Sequence, residues 1–382
     1  MKILFVINSL VGGGAERVFL DMLKQMNHDK FEIDVLVVND EYAVHARELR
    51  EVLPYKNIIR YVSKPKLLRW CFRAISICKM RYLKSASPEV LHKRYIKKEY
   101  DVEVAYLEGL STKIVAGGNQ AFKYAWIHTD MMQNPWSEVY YKENSQETKA
   151  YQEMDKVIAV SQAVKVAADK RFGICSEVRY NILDDQRIKK LATKAAQTLK
   201  KSENIVIVSV GTLWKAKGYL RLVMCIKNLL QKGYGMELYL IGDGADREIL
   251  ENYIKEHQLE SNIHLLGFQK DPYALMCQAD IYVCSSYAEG FSTSVTESLI
   301  LGIPVITTEC AGMREILGDS QYGLIVHNND NALEQGIERL VTDEKLRKHY
   351  KEMAEERGKH FQIQENIEKL ERMFQEDMKK KR

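Results

Sequence analysis

Short apolar runs alternate with amphipathic stretches along most of the chain. Lys2–Asn8 reads as a buried strand, followed by a glycine-rich turn and a helix from about Ala15 to Asn27. Within that helix Val18, Phe19, Met22, Leu23 and Met26 recur at helical spacing. Glu32–Val38, Val102–Tyr106, Tyr124–Ile127 and Val157–Val160 read as further strands. Each is short, continuous and bounded by polar residues, as parallel strands covered on both faces are. A second series opens at Ile205. Strands Ile205–Val210, Met236–Ile241, Asn262–Leu266, Ile281–Cys284 and Pro304–Thr307 alternate with helices Gly218–Gln231, Arg247–His257, Pro272–Cys277, Ser294–Leu301 and Arg314–Leu317. Helical patterns then run from Ala332 to Met373. Between the two series, Asp184–Asn204 is polar, lysine-rich and without an apolar run, which suits a link.

Repeated strand–helix units imply parallel sheets with right-handed crossovers. The expected fold class is therefore α/β, with two Rossmann-like domains at 1–183 and 204–360, a linker at 184–203 and a terminal helix at 361–382. In open sheets of this kind ligands bind beyond the carboxyl ends of the strands.

The bulk numbers narrow this picture. A length of 382 residues suits two domains, and 46% hydrophobic with 28% charged residues is ordinary for a globular protein. Only Ile3 to Ile7 follow Met1-Lys2 as an apolar run, too few for a secretory signal, and no run approaches the roughly 18 residues that span a bilayer. A cytoplasmic protein is expected. Seven scattered cysteines without a CxxC pair predict neither a disulfide framework nor a zinc site, and no metal is expected. The net charge of +4 hides an asymmetry. Lys64–Lys98 holds eleven Lys/Arg against Glu89, a charge of +10, which leaves 4 − 10 = −6 for the rest. Leu67, Leu68, Trp70, Phe72, Ile75 and Ile77 lie among these cations. The pattern suits an interfacial helix on anionic lipid, and equally a solvated helical face with a core stripe. A nucleic-acid partner is not expected.

Candidate chemistry sits where strands meet helices. Glu289-Gly-Phe-Ser-Thr-Ser-Val-Thr-Glu297 follows a strand and opens a helix, and free amides near Phe291, Ser292 and Thr293 make an anion site. Glu289 and Glu297 are then placed to accept hydrogen bonds from hydroxyls of a sugar and a ribose. Ser294-Val-Thr-Glu297 also reads as a capping box, in which Glu297 merely serves a backbone amide. Lys215 and Lys217 follow another strand end; either is placed to reach a diphosphate, and Lys215 suits a solvated loop as well. Gly12, Gly13 and Gly14 follow the first strand, where glycine admits a ligand's close approach or simply makes a tight turn. His128 lies just past the strand ending at Ile127, with Asp130 placed to orient it; a structural histidine is the other reading.

Taken in order, these motifs resemble the retaining GT-B glycosyltransferases of family 4 across nearly the whole chain. The matching pieces are Gly13-Gly14-Ala-Glu16, Trp126-Ile-His128, Val160-Ser161, Tyr180-Asn181, Val210-Gly211 with Lys217-Gly218, Ile241-Gly-Asp-Gly244, Leu266-Gly-Phe268, the Glu289–Glu297 pair, Gly302-Ile-Pro-Val-Ile306 and Glu315. The resemblance implies a GT-B fold with two domains facing across a cleft and the terminal helix returning to the first. It implies a nucleotide-sugar substrate, a UDP-sugar above all, and no cofactor. It places Glu297 on the ribose, Glu289 and Gly290 at the donor sugar, and Lys217 with the Phe291–Thr293 amides on the diphosphate. The base would lie near Phe268 and Gln269, Gly13 and Gly14 near the phosphates, Gly211 at the donor, and His128 at the anomeric centre. The leaving phosphate would itself help deprotonate the acceptor, so no side-chain base is expected. The expected acceptor is a lipid-linked saccharide of a surface polysaccharide, met at the inner face of the cell membrane through Lys64–Lys98. One position departs: the arginine usual after the glycine of Val210-Gly211 is Thr212, with Lys215 a possible substitute. That departure also admits a catalytically silent nucleotide-sugar binder; a GT-B epimerase is a further alternative.

Overall fold

The computed structural model describes residues 1–40, 45–59, 66–193, 199 and 203–381. The chain forms two compact units, Met1–Ile182 with Gln364–Arg382, and Leu183–Ile363.

The first unit opens with β1 (Lys2–Ile7), α1 (Gly14–Gln25), β2 (Glu32–Asn39), α2 (Ala46–Val52) and β3 (Tyr55–Ile59). Two basic helices follow, α3 (Lys66–Ser85) and α4 (Pro88–Tyr95). Then come β4 (Val102–Ala105), α5 (Leu110–Ala116), β5 (Phe122–Ile127), α6 (Asn144–Gln152), β6 (Lys156–Ala159), α7 (Gln162–Phe172) and β7 (Glu177–Val178). The strands lie in the order β3-β2-β1-β4-β5-β6-β7, and every pairing is parallel. Phe5 is paired with Val35 on one side and Val104 on the other, and Ile3 to Ile7 are buried. Continuous apolar strands follow directly from cover on both faces. The order reverses between β1 and β4, which makes that junction the switch point where ligands bind in such sheets.

Among the described residues, the cations read from the sequence as one basic tract lie on α3, on α4 and just after it. Lys64 and the side chains of Lys66–Phe72 lie outside the described residues. In the rest of α3, Leu83 is buried while Ile75 and Ile77 are about half exposed. Arg73, Lys79 and Arg81 are exposed beside them. Arg94 stacks over Tyr82, and Lys98 pairs with Asp34 at 2.7 Å. The helix thus has a core contact and also an outward pair of isoleucines among cations. Among the described residues, no helix is long and apolar enough to cross a membrane.

The second unit contains α8 (Asp185–Ala192), β8 (Ile205–Val210), α9 (Tyr219–Gln231), β9 (Met236–Ile241), α10 (Arg247–Glu256) and β10 (Ile263–Gly267). It continues with α11 (Tyr273–Met276), β11 (Ile281–Cys284), α12 (Thr293–Ile300), β12 (Val305–Thr308), α13 (Met313–Leu317) and β13 (Leu324–Val326). Helices α14 (Asp330–Thr342) and α15 (Glu344–Gly358) complete it. Its parallel order is β10-β9-β8-β11-β12-β13, reversing between β8 and β11.

The expected link at 184–203 is corrected in part. Residues from Leu183 onward belong to the second unit, and α8 is built into it. Asp184 caps α8 by accepting the Arg187 amide at 2.8 Å, and Ile188 is fully buried. Arg187 pairs with Asp271 at 2.9 Å. A helix fixed by one apolar side chain and polar contacts leaves no apolar run to find in sequence. The last helix, α16 (Ile363–Lys381), returns to the first unit as expected. There Phe374 is fully buried, edge-on to Phe5 and to Tyr124 with centroids at 6.4 and 5.2 Å. Asp377 accepts from the Tyr124 hydroxyl at 2.7 Å and pairs with Lys156 at 2.6 Å.

Candidate active site

At the switch point of the second unit, the carboxyl ends of β8 and β11 come together. Lys215–Lys217 form one 3-10 turn, and Gly218 then caps α9 with φ of 65°. A Cβ on Gly218 would stand 2.1 Å from the Ser285 carbonyl oxygen, so only glycine lets the strand ends approach this closely. The approach carries Lys217 onto Glu289, with Nζ 2.7 Å from Oε1 and 2.9 Å from Oε2. Ser286 Oγ donates to the same Oε1 at 2.5 Å. Desolvation pulls the Lys217 ammonium down, but the Glu289 carboxylate outweighs it and leaves Lys217 above the usual lysine value. From below, buried Arg221 donates to the carbonyls of Ser285 at 2.7 Å and Ser286 at 2.6 Å. It also stacks on Tyr287, so the loop that carries Glu289 is braced.

Helix α12 starts one turn beyond Glu289. Its cap is Ser292, whose Oγ accepts the Val295 amide at 3.5 Å. The capping-box reading of Ser294–Glu297 is thereby corrected: the helix begins two residues earlier, and Glu297 lies inside it. Glu297 is buried and accepts from the Tyr273 hydroxyl at 2.9 Å, which itself accepts from Arg187 at 3.1 Å. Thr293 and Ser294 have first-turn amides, which no intrahelical carbonyl can serve. Gly290 and Phe291 are buried beside them, and Gly211 directly follows β8. Lys215 is exposed, with no ion pair among the described residues. Phe268 stands 47% exposed past β10, and Gln269 turns back onto the Leu266 carbonyl at 3.2 Å. β10 is three strand spacings from β11, roughly 14 Å, so Phe268 and Glu289 follow strands well apart along the same carboxyl edge.

The first unit's switch point gathers a second set. Gly13 caps α1, and a Cβ there would stand 2.5 Å from Glu16 Oε2. Glu16 is buried, raised by desolvation, and accepts from Ser9 Oγ at 3.3 Å. Gly14 opens the helix. His128 follows β5 with its ring against Tyr106, centroids 5.0 Å apart. Both ring nitrogens are buried, and the Tyr106 backbone is the hydrogen-bonding group that opposes the effect of burial on the ring. Desolvation lowers its pKa to about 4, so the ring is neutral at pH 7. Asp130 does not orient His128: its Oδ1 accepts the amides of Met132 at 2.9 Å and Gln133 at 3.1 Å. That place is taken by Glu108, which accepts the His128 amide at 2.6 Å. Among the described residues no group of three His, Cys, Asp or Glu side chains is arranged to hold a metal ion.

Both halves also match known families. The sequence model described as Glycosyltransferase Family 4 covers residues 12–187, and that described as Glycosyl transferases group 1 covers 192–357. The chain belongs to the family 4 glycosyltransferases. It is 28% identical, over 94% of its length and 95% of its relative's, to the N-acetylgalactosamine-N,N'-diacetylbacillosaminyl-diphospho-undecaprenol 4-alpha-N-acetylgalactosaminyltransferase of Campylobacter jejuni. It is 30% identical to the capsular polysaccharide biosynthesis glycosyltransferase CapM of Staphylococcus aureus, over 45% of this chain and 46% of CapM. Among solved structures, HepE of Anabaena in complex with UDP superimposes with a TM-score of 0.72 at 19% identity, covering 98% of this chain and all of HepE. The fold is thus GT-B.

Within this glycosyltransferase, sequence reasoning named Glu289, Glu297 and Lys217, and did not name Ser286 and Tyr273, which bond to the two glutamates, or Arg221, which braces the loop. Ser286 had a signal, the Ser-Ser pair ending an apolar strand; Tyr273 and Arg221 sit within helical patterns and had none. The departure at Thr212 stands in an exposed position at the end of β8.

Proposed function

We propose that the chain moves a sugar from a UDP-sugar to a lipid-linked saccharide, with retention at the anomeric carbon, in the assembly of a surface polysaccharide. The observation that carries this reading is the Lys217–Glu289 pair beside the first turn of α12. A helix end contributes only ~0.3–1 kcal/mol to an exposed anion. A micromolar ligand needs about −8 kcal/mol. Cations and hydrogen bonds must therefore converge on the diphosphate. Lys217 has three donors; two meet Glu289 and the third reaches a phosphate oxygen. Glu289 takes the donor sugar's hydroxyls. A carboxylate has about four acceptor sites, so Glu297 holds Tyr273 and a ribose hydroxyl together. Neutral His128, at the first unit's own switch point, is a substrate contact of that unit, and the leaving phosphate takes the acceptor's proton. The acceptor class rests on the C. jejuni relative, whose name specifies a diphospho-undecaprenol substrate. Peripheral attachment at the cytoplasmic face rests on the outward isoleucines and cations of α3.

A panel of nucleotide sugars tests the donor: stabilisation of about 2.7 kcal/mol is expected at a hundredfold excess over Kd. UDP-sugars should stabilise and GDP-sugars should not; the reverse result sinks the UDP assignment. The anomeric configuration of the product, read by NMR, tests retention. Thr212 favours a second reading, a silent binder. Wild-type protein that binds UDP yet turns over no donor with any lipid-linked acceptor would establish it.

A further inference from the structure

Glu108 is a deeply buried carboxyl bonded to the His128 amide, and the reaction described above gives it no task. It lies three residues past β4, 1% exposed. No cation pairs with it among the described residues. Burial raises its carboxyl to about 7, although backbone amides oppose the rise. Such a group is costly to bury. Its bonds show what offsets the cost.

Oε1 accepts two consecutive amides in the turn after β5, from His128 at 2.6 Å and Thr129 at 2.8 Å. The backbone carbonyl of Glu108 accepts from Asn8 Nδ2, just past β1, and Asn8 Oδ1 accepts the Ser111 amide at 2.8 Å. The ends of β1, β4 and β5 are thereby joined around one side chain. β4 also supplies Tyr106, against which the His128 ring packs. One strand end therefore holds both parts of His128: Glu108 its backbone, Tyr106 its ring.

We propose that Glu108 is a positioning residue that fixes the His128 ring by clamping the 128–129 amides. This rests on the reading of His128 as a substrate contact, but its own test does not depend on a donor. The clamp needs an acceptor oxygen at the reach of a glutamate side chain. Glu108→Gln keeps both. Glu108→Asp keeps the charge and loses the reach, shorter by one methylene.

Histidine-selective NMR on the full chain reads the outcome, with the His128 signal identified by its loss in His128→Gln. In wild type and Glu108→Gln the ring should stay untitrated down to about pH 5, as its buried value near 4 requires. In Glu108→Asp its ring shifts should move and its pKa should rise toward the ordinary 6.5. Unchanged His128 signals in a folded Glu108→Asp overturn the proposal. So does a Glu108→Gln that disturbs His128 as much as Glu108→Asp, since charge rather than reach would then matter. Turnover separates the two readings, with UDP-glucose, UDP-galactose and UDP-N-acetylglucosamine as donor probes. Glu108→Asp should lower kcat tenfold or more alone, and less than threefold in a His128→Ala background, because residues acting as a unit are not additive. Additive losses count against the clamp. If His128→Ala leaves turnover intact, it is the substrate role of His128 that falls, and the NMR result still decides the clamp.

Discussion

Lys217 keeps a charge at a half-buried position because Glu289 meets it there with both oxygens. Lys217→Met removes the cation but preserves much of the stem. UDP affinity should fall tenfold to a hundredfold, about 1.5–3 kcal/mol for a charged hydrogen bond. Calorimetric titration with UDP checks this, and an unchanged Kd takes Lys217 out of the diphosphate site. Glu108 makes a prediction about pH. Its folded value, near 7, is above the unfolded 4.5. The folded state therefore binds the extra proton, and the stability it brings is present below about pH 4.5 and lost as pH rises through 7. Glu108→Gln escapes that loss. Relative to wild type it should gain stability across this window, by about 3 kcal/mol at most from 1.36 kcal/mol per unit. Urea unfolding at pH 5 and pH 8 measures it; a difference independent of pH means that Glu108 is not raised. At this scale the sequence revealed residues in strand–turn–helix settings, such as Glu289 and Lys217. It hid Glu108, since its partners are backbone amides twenty residues away, which have no side-chain signature. Asp130 misled for the same reason: two residues from His128, it serves the next turn instead.

Strands with continuous apolar runs were legible, the edge strand β10 among them, and the other edge strands were not. β1, β2, β8 and β9 were found within a residue or two because burial on both faces forces apolar residues at successive positions. The edge strands β3, β7 and β13 were missed; β7 has two residues and β13 three, too short for any period. In α12 the type was right and the start was late, because Ser292 and Ser294 offer the same hydroxyl and only the fold selects between them. Helix α3 makes the prediction here. Its isoleucines face outward among Arg73, Lys79 and Arg81. A variant with these three cations changed to glutamate should lose sedimentation with anionic liposomes, at about 1 kcal/mol per charge near the surface. Equal pelleting of variant and wild type removes the lipid surface as its partner.

At the scale of the whole molecule, the first unit is made from two stretches of chain, with the entire second unit between them. Phe374 fills a fully buried place among Phe5, Tyr124 and Trp126. Phe374→Ala should destabilise this unit by about 3–5 kcal/mol. Fluorescence unfolding that follows Trp126 should report it, in a variant whose other tryptophans are replaced, while UDP binding in the second unit stays intact. Loss below 1 kcal/mol would mean that α16 is an accessory to this core. The arrangement also sets an order of events during synthesis. The first unit's seven strands leave the ribosome early, yet the ring that closes their core arrives only after Leu183–Ile363 has been made. The second unit, continuous in sequence, needs no later segment. It can therefore finish folding while the earlier half still waits with an apolar face uncovered, a period in which a chaperone would find its binding surface on the part of the chain that was made first.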